Sequence, residues 1–124
     1  MLRILFAIAL FSTACSAPQD GSVSIQTDAH LDRVCLLIPV QGVLVPDETW
    51  GLALQGVDGS GNPHRFGVVW PHGYSARREH GVISLIAANG DVVAREGERL
   101  VLDALRDRDP LYPCPPVERE TDPV

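Results

Sequence analysis

The stretch from Gly81 to Leu105 places the tightest constraint on how this chain can fold. Val82 to Ala87 runs directly into Ala88-Asn89-Gly90-Asp91, and Asn-Gly is the dipeptide that most readily supplies the two positive φ angles of a type I′ hairpin turn. With Asn89 and Gly90 as the loop residues, Ala87 faces Val92 and Leu85 faces Ala94. Ile83, Leu85, Ala87, Val92 and Ala94 then share one apolar face. A second turn at Glu96-Gly97-Glu98, with Gly in the left-handed position, predicts a return strand that sets Ala94 against Leu100 and Val92 against Leu102. That register juxtaposes Arg95 with Arg99, at a cost of up to about 1 kcal/mol. A one-residue slip would turn Leu100 and Leu102 outward at roughly 1.5–3 kcal/mol each, so the three-residue loop is preferred. The expectation is a β-meander.

The preceding segment extends the β pattern. Val34 to Val40 is a short, nearly continuous apolar run and reads as the first core strand, stopped or driven to an edge by Pro39. Gln41 to Glu48 reads as a connection. Trp50, Leu52 and Leu54 alternate with smaller or polar residues and predict a second strand, and Phe66, Val68 and Trp70 predict a third. The turn-forming residues between Val57 and Pro63 join these two strands as a hairpin. Pro71 to His80 is the one long connection, with Ser75 as N-cap of a single helical turn over residues 75–79. The fold expected is all-β: about six short antiparallel strands in a small barrel or barrel-like sandwich, OB-like in outline, with an open sandwich as the alternative.

At 124 residues, 45% of them hydrophobic, the chain allows one small domain with flanking segments. Residues 1–14 read as a signal peptide: Arg3, then an apolar run from Ile4 to Phe11, then small residues. The run is far short of the roughly 20 residues of a spanning helix. Residues 15–30 read as a polar tether, 31–114 as the β domain, and 115–124 as a disordered acidic tail. The formal charge is −6, and removal of Arg3 with the leader takes it to −7. Every basic residue is Arg, and only Arg77 and Arg78 are adjacent. A duplex binder needs clustered cations to displace counter-ions from phosphate, so nucleic acid is excluded as the expected partner.

Ser12-Thr13-Ala14-Cys15 resembles the lipobox of bacterial lipoproteins, although Ser12 stands where that family prefers Leu. The resemblance implies cleavage before Cys15, a diacylglyceryl group on its thiol and acylation of its new amine. It implies a lipid-anchored protein of a bacterial cell envelope, facing the periplasm or exterior. An ordinary secreted protein, cut after Ala14 or Ala17, is the alternative. The run Val69-Trp70-Pro71-His72-Gly73-Tyr74-Ser75-Ala76-Arg77, followed by Asn89 to Arg95 and Gly97, is similar to small uncharacterised bacterial lipoprotein domains. No activity comes with that similarity.

With Cys15 assigned to lipidation, Cys35 and Cys114 remain as a pair in an exported chain, and a disulfide between them is expected. His64, His72 and His80 fall eight residues apart. Zinc ligands normally include a pair two to five residues apart, so these are expected to be loop histidines and no metal or other cofactor is implied. Ser75, His72 and Glu79 could be assembled on paper as a hydrolase triad, but no Gly-x-Ser-x-Gly context supports one. Tyr74, Arg77 and Arg78 are the candidate ligand-binding residues, because aromatics and Arg on a long loop can stack on and neutralise a ligand. Trp70 beside them reads as core. The functional expectation is a non-enzymatic binding or scaffolding module of the envelope, with a protein or glycan as partner. A metal-dependent enzyme using His64, His72 or His80 is the competing class.

Overall fold

The structure, a computed structural model, describes residues 20–29, 35, 38–104 and 109–120. Nine strands are assigned among them: β1 (Gly21–Val23), β2 (Pro39–Asp47), β3 (Gly51–Val57), β4 (Pro63–Phe66), β5 (Ser75–Glu79), β6 (Val82–Ile86), β7 (Val92–Arg95), β8 (Arg99–Asp103) and β9 (Cys114–Arg119). They form two sheets, of order β1-β5-β6-β7 and β4-β3-β2-β8-β9, and every strand pair is antiparallel. The all-β expectation holds. The barrel, and with it the OB-like outline, does not: no ladder among the described residues joins β1 or β7 to β4 or β9, so the sheets do not close on each other. β7 and β9 lie side by side without pairing.

The reason lies at Glu96–Glu98. Instead of folding back beside β7, the chain changes sheet there. The Glu96 N–H donates to the Ile83 carbonyl in the first sheet, whereas the Gly97 N–H donates to Leu44 in the second, and the Leu44 N–H returns a bond to Glu98. Gly97 supplies the left-handed conformation required (φ 87°). Leu100 and Leu102 therefore pair with Gly42 and Val40, not with Ala94 and Val92. The feared Arg95–Arg99 juxtaposition never arises, because Arg95 lies opposite Ser84 and Arg99 opposite Val43. Glu98 braces the crossing: Oε1 accepts the Arg95 N–H at 2.8 Å and Oε2 accepts Arg119 Nη1 at 3.0 Å. The Arg95 amide and then the Arg119 guanidinium hold its carboxyl below the ordinary value.

The first hairpin is nearly as read. Leu85 does face Ala94, but only Gly90 of the loop has positive φ (92°), so the turn is not type I′. The Ala87 carbonyl accepts from Gly90 and the Ala87 N–H donates to Asp91, enclosing a three-residue loop. Asn89 favours it by accepting the Asp91 N–H at 3.0 Å. The extra residue shifts the register, so that Ile86 rather than Ala87 pairs with Val92. Val92 is consequently exposed, and Val93 packs against the core in its place.

Four segments expected to be something other than strand are strands. Residues 41–47, taken as a connection, form most of β2, which Pro39 begins instead of ending; a first strand position suits a residue with no N–H to donate. Val34, Leu36 and Leu37 of the apolar run lie outside the described residues. Residues 75–79 form β5, not a helical turn, with Ala76 inward between exposed neighbours. The supposed tether contributes β1, paired with Ala76–Arg78, and the supposed disordered tail contributes β9. The third strand is shorter than read, ending at Phe66, while Val68 and Trp70 make isolated parallel bridges to Leu111 and Thr27.

One core lies between the sheets. Ala76, Ile83, Leu85 and Ala94 face Val40, Leu44, Leu52, Leu54, Leu100 and Leu102, with Phe66, Val68, Trp70 and Leu111 filling beside them. Cys35 and Cys114 are disulfide-bonded, with Cα atoms 5.8 Å apart. Since β8 lies between β2 and β9, the bond joins the approach to β2 to the start of β9 around the end of β8.

Candidate functional site

The β2–β3 turn is set by Asp47, whose Oδ1 accepts the N–H groups of Thr49 (2.8 Å) and Trp50 (2.9 Å), an Asx-type arrangement. Gly51 follows at φ 74°, and a Cβ there would overlap the Ser24 carbonyl oxygen. This close backbone approach brings the end of β1, in one sheet, against the turn of the other. We expect Gly51→Ala to lose roughly 1–2 kcal/mol from left-handed backbone strain alone, with the overlap adding to it. Gly61→Ala is the control, because Gly61 has φ 84° but open space around its Cα. Chemical denaturation should show Gly51→Ala the less stable; equal losses would mean that the Ser24 contact is immaterial.

Between this turn and β5–β6 lies an open cleft of about 700 Å³. Val23, Pro46 and Ile83 give it apolar walls, and Asp47, Glu48 and Thr49 form one rim. Arg65 and Arg78 reach it from β4 and β5. Arg65 is held, with Nη1 at 3.6 Å from Asp47 Oδ2 and Nε donating to Gln55 Oε1 at 3.4 Å. Arg78 is half-buried, and among the described residues its guanidinium has no counter-ion and no hydrogen-bond acceptor.

The Trp50 amide, with those of Thr49 and the Arg65 guanidinium, holds the Asp47 carboxyl below its ordinary value against the opposing effect of burial. A lowered folded-state value means that this carboxylate's contribution is complete above the unfolded value, about 3.9, and is lost as pH falls through the lowered one. In an NMR acid titration the Thr49 and Trp50 amides should shift together with a midpoint below that ordinary value. A midpoint at or above it would contradict the turn geometry.

The anticipated binding trio is not brought together. Tyr74 is buried, and its Oη accepts the Val117 N–H at 3.3 Å, fastening β9 to the core. Arg77 points to the outer face of its sheet and pairs with Glu79 at 3.0 Å. Only Arg78 lines the cleft. The alternation of β5 separates the two arginines, because adjacent strand residues face opposite ways.

The histidines take separate partners. His64 Nε2 lies 2.9 Å from Asp109 Oδ2 and its ring meets Phe66 edge-on, His72 Nδ1 lies 3.1 Å from the Asp28 carbonyl, and His80 occupies the β5–β6 turn at φ 53°. Among the described residues no group of three or more His, Cys, Asp or Glu side chains is placed to hold a metal ion. Ser75, His72 and Glu79 make no hydrogen bond to one another, Glu79 being held by Arg77. Cys15 lies outside the described residues.

Sequence reasoning missed Arg65, Asp47, Glu48 and Thr49. The signal was there in Asp47-Glu48-Thr49-Trp50-Gly51, where Asp and Gly bracket a tight turn. Comparison with protein-family models, with curated proteins and with solved structures finds no match to this chain.

Proposed function

We propose that the protein is a non-enzymatic binding module of the bacterial cell envelope, anchored through lipid on Cys15, and that its ligand enters the cleft between the β2–β3 turn and β5–β6. The observation that carries the binding role is the cleft itself, with a half-buried Arg78 that has no partner among the described residues, beside apolar walls. Its size falls within the roughly 300–1,000 Å³ usual for small-ligand sites. The Cys35–Cys114 bond supports an oxidising compartment, and the apolar run from Ile4 to Phe11 before Cys15 supports export and acylation. An envelope protein segment or glycan remains the partner class.

Two experiments separate anchor from function. Metabolic labelling with a fatty-acid analogue should tag the native chain and fail for Cys15→Ala; equal labelling refutes the anchor. A photo-crosslinking residue at Thr49 should capture an envelope component that the same residue at Gly59, in the exposed β3–β4 turn, does not. Equal capture at both positions removes the cleft as the binding site.

A further inference from the structure

The chemistry of the cleft narrows what it can hold. A guanidinium presents five N–H donors in a planar fork that matches the two oxygens of a carboxylate. Arg65 is already engaged by Asp47 and Gln55, whereas Arg78, which also lines the cleft, has no such partner among the described residues. Half-buried and without an acceptor among the described residues, Arg78 is the group whose hydrogen-bonding capacity a ligand would complete.

The rim sets the ligand's charge. Asp47 and Glu48 both line the cleft, and Glu48 makes no ion pair or hydrogen bond among the described residues. Against the two cations Arg65 and Arg78 they leave the cleft itself without net charge, so a single carboxylate seated on Arg78 adds one negative charge, whereas a phosphate dianion or a polyanion adds two or more against the same rim. The Ser24 and Thr49 residues, both at the cleft, add short hydroxyl side chains suited to hydrogen-bonding the neutral part of such a molecule. Val23, Pro46 and Ile83 offer apolar surface beneath it.

We infer that the cleft binds a monocarboxylate group on Arg78, carried by a small body that is neutral and hydroxyl- or amide-bearing. The inference rests on reading the protein as a binding module and is independent of its anchor. Two sources share this chemistry, the C-terminus of a short peptide and an acidic sugar.

The test uses the exported full-length protein in neutral detergent, titrated while the Arg78 Nε–H and the Val23, Thr49 and Gly51 amides are followed by NMR. The probes are an N-acetylated dipeptide, its C-terminal amide, glucuronate, glucose and inorganic phosphate. Saturable shifts of these resonances are expected with the free-acid dipeptide or glucuronate, whichever is tighter naming the source. The amide and glucose should bind at least about tenfold more weakly. Arg78→Gln should abolish the response and Arg78→Lys weaken it about tenfold or more, with the remaining amide spectrum unchanged to show that the fold persists. Equal affinity for acid and neutral counterparts, tighter binding of phosphate, no response to any probe, or undiminished binding by Arg78→Gln would each overturn the inference. Binding of neutral probes alone, with Thr49 crosslinking intact, would overturn it while leaving the binding-module reading in place.

Discussion

Replacing Cys35 or Cys114 by Ser is expected to lower stability by about 4–5 kcal/mol, the largest effect of any single substitution considered for this protein. The bonded cysteines are 79 residues apart, and a cross-link closing so long a loop removes much of the freedom of the unfolded chain. In a domain of this size each kcal/mol shifts Tm by several degrees, so the midpoint should fall by roughly 20 °C or more. Thermal unfolding followed by circular dichroism, with both single variants and the double variant, measures it. The three should coincide, because each removes the same bond. A fall of under about 5 °C would show that the β8–β9 ladder, not the cross-link, holds the last strand in place.

Trp70→Ala is expected to cost about 3–5 kcal/mol. Trp70 is fully buried, and its backbone holds Gln26 and Asp28 through bonds of 2.8 and 2.9 Å. Removing the indole empties the largest side-chain volume of the core, while the backbone bonds that dock residues 26–28 remain available to pull the walls only part of the way inward. Trp70→Phe, which keeps most of the apolar contact, should lose distinctly less. Denaturant unfolding gives both values; equal losses would mean that burial area is not what the indole contributes.

Much of the core was legible in the sequence because strand alternation reports which side chains turn inward whatever the strand pairs with. Leu52, Leu54, Phe66, Val68, Trp70, Ile83 and Leu85 are all buried where their alternation put them. Partner choice was not legible in the same way. Glu96-Gly97-Glu98 suits a tight hairpin and a step between sheets equally well, and what decides between them is Leu44, some fifty residues earlier in the chain. Ser75 to Glu79 reads as polar because Ala76 is the one apolar residue on its inward face, and so small a residue leaves almost no hydrophobic signature. Residues 115–119 hide in the same way behind two prolines and two charges, with Val117 alone turned to the core. The cleft escaped notice for a related reason: Asp47, Arg65 and Arg78 are scattered along the chain and are gathered only when the end of β1 docks against the β2–β3 turn.

The strand order also dictates how the chain must assemble. β2-β3-β4 and β5-β6-β7 are each joined by local hairpins and can form as soon as their own residues are available. β8 and β9 are likewise consecutive, but two pairings are remote: Gly21 waits for Arg78, and Pro39 for Asp103. Loop closure must be met before these contacts return any stabilisation, which places the molecule among slow-folding, non-local topologies. During that interval one edge of β2 and one edge of β5 stand open, each able to accept the matching strand from another copy. β8 and β1 are thus the elements through which crowded, newly made chains would exchange strands.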